Sequence, residues 1–336
     1  MTEAAGAPVP FSVNPLDVPH DQSEAVLDGA IVAPCGDHVI EVTGPGAVAC
    51  MQGLLTNDLE APGEDAFLYA AVLTNKGMIV SDLWASRSGV TVTLTAPAAG
   101  YDAITEILGK SLPPRLAKTT DRSAAHAVLR LAGPRALEYA EKAGFAIPAP
   151  GRSTRSAFRP SDCYVSRPPL GLPFALQVLV AREDAPVVID ALERAGARPA
   201  AEPALDLARI LGGWPRLGAE IDQKTLPQEV RYDDINGVSY TKGCYTGQET
   251  VARIHFRGHA NRHLVGLTWQ DAPNLQHAEI QQDDKTIGRV SSVAWLAPLD
   301  HYIGLGVVRR ETDLTRPVTA SGAPARAADL PLRLAS

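Results

Sequence analysis

The sequence predicts an α+β fold followed by a separate small β-domain, and three observations carry that expectation. Residues 38–131 alternate strand-like and helix-like apolar patterns. The strand, Gly-Pro and helix order of residues 39–53 recurs from Val128-Leu129-Arg130-Leu131-Ala132-Gly133-Pro134 onward. From His263 onward the patterned segments are strands alone. Two related α+β subdomains would produce the recurrence. So would chance, because Gly-Pro commonly punctuates elements.

The elements follow in order. Val39-Ile40-Glu41-Val42 reads as a strand that stops at Thr43-Gly44-Pro45-Gly46. The helix after it puts Val48, Met51, Leu54 and Leu55 on one face. Residues 67–73 and 78–84 read as strands joined by the turn Thr74-Asn75-Lys76-Gly77. Val90, Val92 and Leu94 alternate with threonines, as in a further strand, and residues 97–110 read as a helix. After Gly133-Pro134 a helix buries Ala136, Leu137, Ala140 and Ala143. A strand over 174–181 and a helix over 184–195 complete that second unit. Residues 148–173, with many Pro, Gly, Ser and Arg, read as an irregular excursion. A helix over 203–211 runs into Gly212-Gly213-Trp214-Pro215. The tail strands are expected at 263–269, 278–282, 286–294 and 302–309.

Composition narrows the function classes. The chain has 336 residues, of which 45% are hydrophobic, enough for two or three domains with a substantial core. Its formal charge of −7 argues against broad electrostatic binding of nucleic acid. No apolar run reaches transmembrane length, and the start MTEAAGAPVPFSVNP reads as a flexible leader without a secretory signal. Cys35, Cys50, Cys163 and Cys244 lie far apart with no Cys-x-x-Cys pair. That pattern weakens the case for a self-contained metal or iron–sulfur site and fits free thiols in a reducing cytoplasm.

The stretch Lys242-Gly243-Cys244-Tyr245-Thr246-Gly247-Gln248-Glu249 concentrates the chemistry. Thr246 and Glu249 have the spacing of a helix capping box, with Val251 and Ile254 following at helical spacing. Cys244 then lies just before a helix N-terminus and beside Lys242, and both influences favour its thiolate. A buried, purely structural cysteine is the alternative.

These residues resemble the folate-binding YgfZ family, a branch of the superfamily that includes the T-protein of the glycine cleavage system. The likeness rests on Val42-Thr43-Gly44-Pro45, on Gln52-Gly53-Leu54-Leu55-Thr56-Asn57-Asp58, and on Tyr69, Leu73, Gly77 and Asp82. It continues through Arg209, Gly213, Pro215, Gly218, Glu220, Pro227 and Glu229 to the octapeptide, then Arg253, Gly258 and Arg262. Gly288-Arg289-Val290-Ser291-Ser292 looks like the family's final domain.

The resemblance implies an α+β, three-lobed architecture: two α+β lobes around a central channel, and a C-terminal small β-barrel. The division it suggests is a leader with first strands over 1–30, a discontinuous first lobe over 31–120 and 203–258, a second lobe over 121–202, and the barrel over 259–336. It also implies tetrahydrofolate as cofactor. Its expected partners are iron–sulfur client proteins or assembly factors, with radical-type tRNA methylthiolases among the family's clients. Neither a membrane nor bulk nucleic acid is an expected partner.

On that resemblance the family cysteine maps to Cys244, with Lys242 as its activator. Asn57, Asp82, Tyr245, Gln248 and Arg253 are the cofactor-binding candidates, and no metal site is expected. Each has a plainer reading. Asn57 and Asp58 suit a helix exit and turn, Asp82 could end a strand, Tyr245 could pack, and Arg253 could be solvated. Glu229 could face the channel or pair with Arg231. His255, His259 and His263, spaced by four, fit a helix end, a turn and the entry to the tail.

Two departures from the T-protein pattern bear on activity. Where the T-protein has adjacent carboxylates, this chain has Ser81 and Asp82. Where the T-protein's pterin-contacting acid falls, this chain has Leu211, which cannot pair with pterin N–H groups. Aminomethyl transfer of the T-protein kind is therefore the alternative to the accessory role. A channel holding some other flat anionic metabolite is a third reading.

Overall fold

The structure is a computed structural model, and it describes residues 16–158 and 162–333. The predicted leader's first fifteen residues lie outside that range. Two antiparallel sheets and a closed barrel organise the chain. The first sheet runs Phe67–Leu73, Ile79–Ser88, Thr91–Ala96, His38–Thr43 and Lys118–Asp121. The second runs Arg152–Ser156, Cys163–Arg167, Leu176–Ala181, His126–Ala132, Ile31–Cys35 and the short parallel edge Arg198–Pro199.

The recurrence in the sequence is a repeat of topology. In each sheet the strand before Gly-Pro lies beside the strand that precedes the longer helix. At both Gly-Pro sites the glycine is left-handed, φ 124° at Gly44 and 117° at Gly133. A Cβ on either would meet a carbonyl oxygen, Leu116 O at 2.4 Å or Gly29 O at 2.6 Å, so only glycine fits. Two residues later Gly46 and Arg135 donate to those same carbonyls, each at 2.9 Å.

Each sheet hides one face beneath two helices. Ala47, Met51, Ile104 and Leu108 cover the first sheet, and Ala136, Tyr139, Val188 and Leu192 cover the second. The other two faces look at each other. Period-two alternation therefore decides what fills the gap. Val92 and Leu94 point to the helices, while Thr91, Thr93 and Thr95 point inward, and Thr95 meets Gln177 of the second sheet at 3.3 Å. The sheets are joined edge to edge where Phe67 N donates to Gly151 O and Ser153 N to Asp65 O.

The helix Glu202–Gly212 packs against Ile31–Cys35 and His126–Ala132 of the second sheet and against the barrel, and the segment up to the helix Gln248–Arg257 returns to the first sheet, where Ile79 N donates to Thr225 O. The barrel follows in the order Arg262–Trp269, His301–Arg309, Lys285–Leu296, Glu279–Gln282, Val318–Ala320 and Ala323–Ala328. Among the described residues, no helix is long and apolar enough to cross a membrane.

Three expectations need correction. The excursion 148–173 contains two strands; Arg-Ser-Thr-Arg-Ser at the edge has no large apolar residue to mark it. Residues 20–28, assigned to the leader, form a helix. Ile31–Cys35 joins the second sheet and not the first.

Candidate functional site

Between the sheets lies a cavity of about 250 Å³. Its wall is aromatic on one side, with Trp84 stacked on Trp214 at 5.6 Å and Phe174 at 4.9 Å from Trp84. Alternation in Ile79–Ser88 aims Asp82, Trp84 and Ser86 at the gap, and Ser81 at the opposite face against Gly100.

Asp82 is the central group. It is 8% exposed, and Oδ2 accepts from Tyr69 Oη at 2.9 Å, which accepts in turn from Tyr232 Oη at 3.2 Å. Its other oxygen, Oδ1, is buried with no partner in the structure. Burial pushes this carboxyl up to about 6, although the Tyr69 bond favours the anion. The indole Nε1 of Trp214, which also lines the cavity, is buried without a partner too. Buried polar atoms are rarely left alone. Here the residues that carry an unfilled acceptor and an unfilled donor both line one cavity with flat apolar walls.

Charged groups frame the rest. Arg130 bonds Asp37 at 2.5 Å and reaches Gln177 at 3.2 and 3.3 Å, with its guanidinium over Phe174. Asp206 lies between Arg209 and Arg216. Cys35 also lines the cavity, its thiol pushed up to about 12 by burial. Beyond Thr95 and Gln177 a wider cleft of about 470 Å³ opens, lined by hydroxyls of Ser86, Thr91, Thr93, Ser153 and Ser166.

The octapeptide is elsewhere, and none of its residues lines the 250 Å³ cavity. Lys242 Nζ donates to the carbonyls of Gln52, Leu55 and Asn57 at 2.7, 2.7 and 2.8 Å. An ammonium has three hydrogens, and all three are committed. The predicted activator of Cys244 instead ties down the chain leaving helix Ala47–Gln52, where cations suit the dipole. Burial lowers its ammonium to about 8.

Tyr245 packs in the core beneath Lys242. The capping box is absent: Gly247, at φ 81°, is the N-cap of helix Gln248–Arg257, with no side-chain cap. The reason is close packing. A Cβ on Gly247 would meet Thr74 O at 2.5 Å, and one on Gly77, φ 84°, would meet Thr250 Cβ at 2.9 Å. Hairpin turn and helix start lock through their glycines. The Cys244 thiol is exposed.

The remaining candidates separate. Asn57 Nδ2 donates to Tyr69 O and Asn236 O while Oδ1 accepts from Asp58 N, a joint outside the cavity lining. Gln248 opens the helix half-buried, and Arg253 is exposed on it. Neither lines the cavity, so of the five cofactor candidates only Asp82 does. Glu229 grips Arg262 rather than Arg231, at 2.9 and 3.0 Å. The helix ends at Gly258, between His255 and His259, as expected. Leu211 packs against the core outside the cavity lining. Trp214 and Arg130 were missed as site residues; Trp214 stood in the Gly-Gly-Trp-Pro break, its only signal.

The profile of the GCVT N-terminal domain matches residues 37–235. The chain belongs to that family. The solved aminomethyltransferase T of the glycine cleavage system from Bartonella henselae has the same fold, with a TM-score of 0.78 over 93% of this chain and 88% of that one, at 18% identity. A probable aminomethyltransferase of Natronomonas pharaonis is 28% identical over 319 residues, 92% of this chain and 86% of that relative. The tRNA-modifying protein YgfZ of Vibrio vulnificus is 44% identical over 75 residues, which cover only 23% of its length. Family members named aminomethyltransferase thus resemble the whole chain, and those named YgfZ resemble a short stretch more strongly. The resemblance drawn from the motifs, a YgfZ-type member of the T-protein superfamily, stands.

Proposed function

We propose that the protein binds tetrahydrofolate in the aromatic cavity and acts as a YgfZ-type accessory factor for iron–sulfur proteins that serve tRNA modification. The observation that carries the folate reading is that Asp82 and Trp214, whose Oδ1 and Nε1 have no partner, line the same aromatic cavity. A pterin edge offers N–H donors to the first and an acceptor to the second, and its rings would lie against the wall formed by Trp84, Trp214 and Phe174. The exposed Cys244 thiol supports a role toward another protein, because it is reachable from solvent and outside the cavity lining.

Titration calorimetry with tetrahydrofolate tests this reading. Micromolar binding that weakens in Asp82→Ala is expected; no heat at several hundred micromolar refutes it. Failure of a folded Cys244→Ala protein to restore iron–sulfur enzyme activity in cells lacking the wild type is the companion result.

The aminomethyltransferase reading is favoured by the chain-long similarity to proteins of that name. Against it, Ser81 faces away from the gap and Leu211 is outside the cavity lining, so Asp82 has neither T-protein companion acid beside it. Transfer of a one-carbon unit from an aminomethyl donor to tetrahydrofolate by the pure protein would reverse this preference.

A further inference from the structure

We infer that the barrel's Ser291-Ser292 pair is a positioning element of the cavity. Consecutive strand residues normally face opposite sides. Between Val290 and Ser292 the register with His301–Arg309 shifts by one, a β-bulge. The bulge turns both hydroxyls to one carboxylate: Ser291 Oγ and Ser292 Oγ each donate to Glu220 Oε1 at 2.7 Å.

Glu220 passes the constraint on. Its Oε2 accepts from Arg209 at 3.0 Å and from Arg216 N at 3.0 Å, which fills its acceptor sites. Arg209 donates to Ser292 Oγ at 2.8 Å, to Trp214 O at 2.7 Å and to Asp206. Ser291, Ser292, Glu220, Arg209, Asp206 and Trp214 are all buried. The last three line the cavity. A buried, fully paired network of this kind fixes geometry closely. The barrel thereby sets where the Trp214 main chain lies and, through it, where the indole N–H points. The tail motif is thus part of the cavity although none of its residues touches it.

This inference rests on the folate reading only for its ligand, and the test separates the two. In the full-length protein, the Trp214 indole N–H signal is assigned in a nitrogen-proton NMR spectrum by its loss in Trp214→Phe. Ser292→Ala is expected to shift that signal more than the Trp295 signal, and Ser292→Thr, which keeps a hydroxyl, to restore it. Ser291→Ala, the milder variant, shifts it less. Tetrahydrofolate affinity falls three- to tenfold in Ser292→Ala and returns in Ser292→Thr. An unmoved Trp214 signal in both alanine variants, even with lowered melting temperature, overturns the inference and leaves the serines a merely structural role. A wild type that binds no tetrahydrofolate refutes the folate reading alone, because the indole signal still decides the relay.

Discussion

The inter-sheet cavity and the octapeptide loop divide what a single active centre would combine. The cavity holds an acid with a free acceptor, a free indole donor and aromatic walls, and its one cysteine, Cys35, has its thiol pushed well up by burial. The loop holds an exposed thiol and no residue of the cavity wall. Sequence motifs had merged them, because Lys242 adjoins Cys244 and because the octapeptide is the chain's most specific signal. The difference teaches that motif density has two sources. Lys242, Tyr245 and Gly247 are committed to packing and main-chain bonds; Cys244 has no such duty in the fold.

Lys242→Ala sharpens that division most. It strips three carbonyls of their donor, at about 1–3 kcal/mol each. A loss on the order of 4 kcal/mol in urea unfolding is expected, whereas Cys244→Ser changes stability by less than about 0.5 kcal/mol. A folded Lys242→Ala protein of unchanged stability but altered Cys244 reactivity would restore the sequence reading of Lys242 as activator.

Asp82 breaks the comparison from the other side. Its folded pKa of about 6 lies above the ordinary carboxyl value of 3.8, so the folded state holds the extra proton between those limits. Stability therefore falls as pH rises from about 4 through 6. Asp82→Asn removes that dependence and is expected to gain about 2 kcal/mol at pH 7.5 in thermal or urea unfolding. Ligand affinity runs the opposite way. The anion accepts N–H donors best, so tetrahydrofolate binding strengthens as pH rises through 6. Asp82→Ala weakens it at pH 7.5 by about ten- to a hundredfold, the worth of a charge-assisted bond. Flat affinity between pH 5 and 8 would remove Asp82 from the site.

Much of this was legible in the sequence, and the failures have physical causes. Elements with a clear apolar pattern were found within a few residues, as with the continuous run of Phe67–Leu73 and the alternation of Thr91–Ala96. Lys118–Asp121 was missed because all four of its residues are exposed and polar. Asp82, which lines the cavity, was legible as a candidate because its motif survives. Trp214 was missed because an unfilled N–H is a property of three-dimensional surroundings, invisible in a tryptophan's letter. Asn57 was misassigned for the converse reason: its two donors and one acceptor are spent on Tyr69, Asn236 and Asp58, partners that only folding brings together.

The smallest expected effects test the comparison hardest. If thiol and cavity are separate, Cys244→Ser leaves the tetrahydrofolate dissociation constant within about twofold of wild type, under 0.5 kcal/mol. In the native protein a thiol reagent should meet Cys244 first. Cys163 is buried and burial pushes its thiol up to about 11, and Cys35 is higher still at about 12, so both should react slowly. The fastest equivalent, lost in Cys244→Ser and unslowed by saturating tetrahydrofolate, is the expected pattern, with half-buried Cys50 reacting after it. Protection of that fast thiol by ligand would mean that the bound molecule reaches the loop, and two sites would have to be redrawn as one.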